Sequence, residues 1–245
     1  MTKRKKHSKK KRSPLPWIAG ILFLLAAAVA AGLYWNGASR INKVEFRGNK
    51  YISIEQLKNR VDIPIGISPD SLNYGAIIHQ IKQIPYVENV HLKVQPGGSM
   101  IVSIQERKPL ALLVKGADRC LVDRNGIKLK LQEQIPDVPI LYGFNVEPMS
   151  DTLSSNAFKK VSSFLQKLSQ NPVADATVSA VAWQPKEGVI AMTNSGEVKL
   201  IFGDKQFGKK LRNWKAFYAQ VIRYKGLNHF KSVNMKFDKQ IITHE

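Results

Sequence analysis

The feature that most constrains this chain is an uncharged stretch from Trp17 to Trp35, WIAGILFLLAAAVAAGLYW. At about 1.5 Å per helical residue it matches a hydrocarbon core roughly 30 Å thick, so it predicts one transmembrane helix. Trp17 at one end and Tyr34 with Trp35 at the other place amphipathic rings at headgroup depth. The basic run Lys3, Arg4, Lys5, Lys6, Lys9, Lys10, Lys11 and Arg12 lies just upstream, which sets the N-terminus in the cytoplasm and the remaining chain outside it. Arg40, Lys43, Arg47 and Lys50 beyond the span do not conflict, because long following domains translocate largely regardless of charge.

Two other readings of this region compete. Ala28-Val29-Ala30 resembles the small-residue cleavage site of a signal peptide, but the apolar stretch exceeds the roughly 7 to 15 residues of a signal peptide's apolar region and ends in aromatic residues. The basic run alone could serve as a nucleic-acid or nuclear-targeting arm. Set against an apolar span, its topological role is the simpler account.

Charge narrows the partners without naming one. The formal net charge is +20 over 245 residues, and the eight basic residues of the tail supply much of it. Without them 30 basic residues still face 18 acidic ones, enough to attract lipid headgroups, cell-wall polymer or acidic protein surfaces. Cys120 is the single cysteine, so no intrachain disulfide can form and stability must come from apolar burial.

Beyond the span, Ile41, Val44 and Phe46 read as a short strand ending at the turn Gly48-Asn49. Ser53 is placed to cap a short helix reaching about Arg60, and Pro64 to Pro69 interrupts the pattern before Ser71 restarts it. Leu72, Ile77, Ile78 and Ile81 then recur at helical spacing until Pro85. Val90, Leu92 and Val94, then Met100, Val102 and Ile104, alternate with polar residues around Pro96-Gly97-Gly98 and predict a hairpin with one buried face. The order strand, helix, helix, strand, strand describes a small α+β layer with helices on one sheet face.

The second half reads as a β-rich domain of mainly antiparallel strands with two packed helices. Leu112 to Val114 and Cys120 to Val122 are strands, and Asp123-Arg124-Asn125-Gly126 supplies a tight hairpin turn before Ile127. Pro136, Pro139 and Pro148 mark a loop-rich stretch, after which Phe158, Val161, Leu165 and Leu168 form an apolar helical face. Val178 to Trp183, Val189 to Thr193 and Val198 to Phe202 suggest an antiparallel meander. Phe207, Leu211, Trp214, Tyr218 and Val221 repeat at helical spacing as a core-packing stripe. Val233, Met235 and Phe237 alternate with polar residues in a last strand, placed at a sheet edge.

These residues carry a resemblance. The segments VEFRGNKYIS and IPYVENVHLKVQPGGSMIVSIQERKPLALL resemble a POTRA domain of the FtsQ/DivIB type, through Gly48-Asn49, Pro85-Tyr86-Val87 and Glu106-Arg107-Lys108-Pro109 in that order. CLVDRNGI, LIFGDKQFGKKLRNWKAFYAQVI and SVNMKFDKQIITH resemble the same family's turn, helix start and closing strand. The closing strand departs from the family's aspartate-leucine-arginine-tyrosine pattern at Asn234, Met235, Lys236 and Phe237, whereas Asp238, Gln240 and Ile241 fit.

The resemblance implies a domain order of a basic cytoplasmic tail (1–16), a transmembrane helix (17–35), a POTRA domain (36–107) and a β-rich domain (108–245). It also implies a bitopic scaffold of the bacterial division machinery, in the inner (plasma) membrane at the septum with its domains periplasmic. Partners would be small bitopic coiled-coil proteins of the FtsB and FtsL type, with septal wall-synthesis proteins downstream. An uncovered last strand could take a partner segment by strand addition. The partner-binding residues would be Ser232, Val233, Asn234, Met235, Lys236, Phe237, Asp238, Lys239, Gln240 and Ile241. Lys236, Lys239, Arg223 and Lys225 could meet acidic partner groups.

No catalytic constellation stands out. His7, His79, His91, His229 and His244 lack metal-ligand spacing, and neither a phosphate-cradling glycine loop nor a G-x-S-x-G elbow is present. The carboxylates Asp118, Asp123, Glu133 and Asp137 sit among turn signals, and Cys120 reads as a small buried hydrophobe. The expectation is therefore no enzyme, no cofactor and no metal. An outer-membrane assembly or secretion protein would need a transmembrane barrel, for which the region after Pro109 is too short and too helical. A tethered wall enzyme would need the missing catalytic residues.

Overall fold

The structure, a computed structural model, describes residues 15–38, 40–132, 136–237 and 240–245. Its first element is helix α1, Leu15–Ala38, whose 24 residues carry neither an acid in the first turn nor a base in the last. Side chains of this helix are described for residues 17–32, and among the described residues no helix is long and apolar enough to cross a membrane. Trp17, Phe23 and Leu24 are each at least 70% exposed.

The chain divides into two compact units. The first takes residues up to Gly48, with Ile54–Ile81 and Val90–Ile104; the second takes Asn49–Ser53, Lys82–Asn89 and Gln105–Glu245.

The first unit holds strand β1 (Lys43–Arg47), helix α2 (Ile54–Arg60) and most of helix α3 (Tyr74–Lys82) and of the hairpin strands β2 (Val87–Val94) and β3 (Ser99–Glu106). The sheet order is β1-β3-β2. β1 lies parallel to β3, with Val44 opposite Met100 and Phe46 opposite Val102, a pairing that needs a crossover, and the two helices supply it. Ile41, Leu57, Ile81, Met100 and Val102 are fully buried, each contributing roughly 1.5–3 kcal/mol of apolar burial. Ser71 does not start the second helix as the sequence suggests. Pro69–Ser71 form a 3-10 turn, and Asn73 caps α3 by accepting the Ala76 N–H at 3.0 Å. Gly48 has φ +84°, and a Cβ there would strike the Ile104 carbonyl oxygen, so this turn requires glycine.

In the second unit nine strands form one sheet among the described residues. They are β4 (Pro109–Lys115), β5 (Asp118–Asp123), β6 (Lys128–Leu129), β7 (Ile140–Tyr142), β8 (Val178–Gln184), β9 (Gly188–Thr193), β10 (Lys199–Gly203), β11 (Ser232–Asn234) and β12 (Ile242–His244). Their order is β12-β11-β10-β9-β8-β7-β4-β5-β6. The antiparallel meander β8-β9-β10 stands as the alternation predicts. Three neighbouring pairs, β4 with β7, β7 with β8 and β10 with β11, are parallel.

Helices α4 (Asn156–Leu168), α5 (Pro172–Thr177) and α6 (Phe207–Phe217) accompany the sheet. Ser155 caps α4 by accepting the Phe158 N–H at 3.1 Å, and Phe158, Val161, Phe164, Leu165 and Leu168 turn inward onto Leu113, Val181 and Phe202. From α6, Leu211 and Trp214 join the same core, and the Trp214 indole N–H donates to Thr177 Oγ1 at 3.0 Å. The predicted helical stripe then shifts. A π-helical turn at Tyr218–Ile222 inserts an extra residue, so Ile222 is buried while Tyr218 and Val221 are only partly covered.

Candidate docking edge

The placement of the last strand differs from the sequence expectation. Val233 is fully buried and β11 pairs on both sides, parallel to β10 and antiparallel to β12. β11 is therefore not an edge. The strand ends early because Asn234 Oδ1 accepts the Lys236 N–H at 3.0 Å, a local turn that competes with continued pairing. Phe237, which alternation would bury, is 45% exposed.

The chain then returns as β12, with Ser232 opposite His244 and Asn234 opposite Ile242. The sheet thus has two end strands. β6 has two residues, Lys128 and Leu129, both buried. β12 is the more exposed end, with Ile242 and Thr243 half-buried and His244 exposed. The His244 carbonyl accepts the Lys231 N–H at 2.7 Å, and since peptide groups alternate along a strand, those of Thr243 point to the open side. Such groups are where a further strand can add.

Of the residues predicted to bind a partner, Val233 and Met235 are buried core and Ser232 and Asn234 are half-buried. Lys236, Phe237 and Gln240 are exposed, and Ile241 packs partly against the core. Asp238 and Lys239 lie outside the described residues. The sequence reading missed Ile242, Thr243 and His244; the β-branched run Ile241-Ile242-Thr243 was the signal for them. Charge around this edge is mixed. His229 Nε2 lies 2.9 Å from Glu245 Oε1, Lys225 Nζ lies 3.9 Å from the same oxygen, and Lys231 Nζ donates to the Glu245 carbonyl at 2.7 Å. Lys236 Nζ reaches the Lys186 carbonyl at 3.1 Å.

Two carboxylates, Asp123 and Glu106, have structural partners. Asp123, 2% exposed, accepts the N–H groups of Asn125 and Ile127 on Oδ1 at 2.9 and 2.8 Å, and Arg107 Nη1 on Oδ2 at 2.9 Å. Glu106 accepts the backbone N–H groups of Lys50, Tyr51 and Ile52 at 2.8–3.0 Å. Glu133 lies outside the described residues. Cys120 is fully buried, and burial pushes its thiol up to about 11, the opposite of what a nucleophile needs.

A small module of mixed strands and helices followed by a long mixed sheet with one exposed end defines a two-module α+β protein. Comparison with known proteins names its family. Residues 39–107 match the family described as POTRA domain, FtsQ-type, and residues 108–244 match FtsQ/DivIB, C-terminal related. The chain belongs to the FtsQ/DivIB family of cell-division proteins. It is 24% identical to the cell division protein FtsQ of Salinibacter ruber, over 92% of both chains. It is 23% identical to FtsQ of Rhodothermus marinus, over 93% of this chain and 85% of that protein. Among solved structures, the major extracytoplasmic domain of DivIB from Geobacillus stearothermophilus covers 49% of this chain and 97% of its own at 22% identity, with a TM-score of 0.35, a likeness too slight to carry an argument.

Proposed function

We propose that this chain is a bitopic, non-catalytic scaffold of the division machinery, held in the cytoplasmic membrane by α1 and presenting a POTRA module (36–107) and a β-rich module (108–245) outside the cytoplasm. The exposure of Trp17, Ile18, Ile21, Leu22, Phe23 and Leu24, each more than half accessible, supports the anchor, since so many apolar side chains on one helix call for lipid rather than water. Membership of a family of division proteins supports the role at the septum.

The observation that carries the docking reading is the open end of the nine-stranded sheet at β12. A segment of a small bitopic partner of the FtsB or FtsL type adds to β12, and the exposed side chains of Lys236, Phe237 and Gln240 set its specificity. Backbone pairing supplies affinity and side chains supply choice.

The test is Thr243→Pro in the full chain, with capture of co-expressed FtsB-type and FtsL-type partners as the readout. Proline removes an outward N–H without breaking the bond to β11, so the fold stands while partner capture falls about tenfold or more. Undiminished capture by a variant whose Trp214 fluorescence is native would reject the edge as the docking site. Protease digestion of intact spheroplasts tests the anchor separately, since protection of the folded units would place them in the cytosol.

A further inference from the structure

A second feature of the β-rich unit has no part in that reading. A cleft of about 300 Å³ opens between α4 and the start of α6, and Lys159, Lys160, Ser163 and Lys167 of α4 face Asp204 and Lys205 of the loop before α6 across it. Lys159, Ser163 and Lys167 stand four residues apart on α4, one line along the helix away from its buried face. The tips of Lys167 and Arg212 converge over Gly208, where an added Cβ would lie 3.9 Å from Lys167 Nζ and 3.7 Å from Arg212 Nη1. Like charges gathered this way repel one another and lower stability unless an anion joins them.

Among the described residues little neutralises them. Asp204 is the one carboxylate lining the cleft, and Lys160 Nζ already holds it at 2.9 Å. The same hydrogen bond draws its carboxyl below the usual range, with Lys205 adding to the pull, so it stays ionised and committed. Lys159, Lys167 and Arg212 have no ion-pair partner among the described residues. The first turn of α6 adds its positive end, because Gln206 at the cap makes no side-chain bond to it.

We propose that this cleft is a binding site for a phosphate-bearing anion of the diphosphate class. Its volume suits one compact, multiply charged group rather than a length of polymer. Lysine ammonium groups act as point charges, which suits phosphate oxygens disposed around a centre, and a guanidinium such as that of Arg212 pairs with phosphate as well. The proposal does not depend on the edge at β12.

The test is calorimetric titration of the full chain, held in nanodiscs of phosphatidylcholine, with inorganic pyrophosphate. One saturable site is expected, weakening as salt is raised. The double variant Lys167→Gln with Lys205→Gln should lose about tenfold in affinity, roughly threefold for each exposed charge. Lys93→Gln, on the three-stranded sheet, should change it less than about twofold. No saturable binding, or an equal loss in Lys93→Gln, overturns the site. Where binding stands, nanodiscs containing dioleoylglycerol pyrophosphate separate its sources. Competition against pyrophosphate assigns the site to a lipid headgroup, and an unchanged titration assigns it to a soluble phosphate compound.

Discussion

Replacing Asp123 separates the two things its carboxylate does. Oδ1 closes the turn through the N–H groups of Asn125 and Ile127, while Oδ2 takes Arg107, whose side chain is 19% exposed. Asp123→Ala removes all three bonds and leaves a partly buried guanidinium without its charge partner, only its Nε still donating to the Pro85 carbonyl at 3.0 Å. Removing one partner of a buried pair costs about 3–5 kcal/mol, and the residual exposure of Arg107 sets the expectation near the lower end, about 3 kcal/mol. Asp123→Asn keeps an acceptor for the turn but gives up the charge toward Arg107, so about half that loss is expected. With a slope of about 2 kcal/mol per molar urea, the alanine variant shifts the unfolding midpoint of this unit by about 1.5 M and the asparagine variant by roughly half as much. Fluorescence of the fully buried Trp214, in the same unit, reports the transition in the full chain. A shift under about 0.5 M for alanine, or equal shifts for the two variants, would refute the reasoning.

Two further outcomes follow from positions in either unit. Gly48→Ala forces a side chain into left-handed backbone and against the Ile104 carbonyl; a loss of about 2 kcal/mol or more is expected, read as faster hydrogen exchange in β1 and β3. Alkaline pH should destabilise the second unit, because burial raises the Cys120 thiol from 9.0 to about 11 and the Tyr86 hydroxyl from 10.0 to about 12. Both groups stay protonated in the fold while the unfolded chain ionises, so their contribution is whole below about pH 9 and fades as pH rises through 11 to 12. A Trp214-monitored midpoint unchanged between pH 8 and pH 10.5, with native thiol labelling at Cys120 already fast at pH 8, would contradict it.

Much of the fold could be read from residue patterns because one face of each element is buried. The β2-β3 hairpin and the β8-β9-β10 meander follow from alternation, and Gly48 and Gly126 mark turns where only positive φ fits. What escaped lacks a local pattern. Ile140-Leu141-Tyr142 lies between Pro139 and Gly143 and is too short to show a period, yet its parallel neighbours make it a central strand. β12 escaped for the same reason, and with it the true sheet edge. Asn234 stopped β11 through a side-chain bond that hydrophobic spacing does not register. The basic cleft was invisible for a different reason, since its lysines come from α4 and from the loop before α6, separated in sequence and joined only by packing.

The shortness of β7 has a mechanical consequence. Strands β4, β5 and β6 lie on one side of it and β8 through β12 on the other, so three residues stitch the two halves of the sheet together. Load passing from one half of the sheet to the other is carried by that seam together with α4, whose buried face packs in the core both halves share. Leu141, with no accessible surface, is the rivet in that seam.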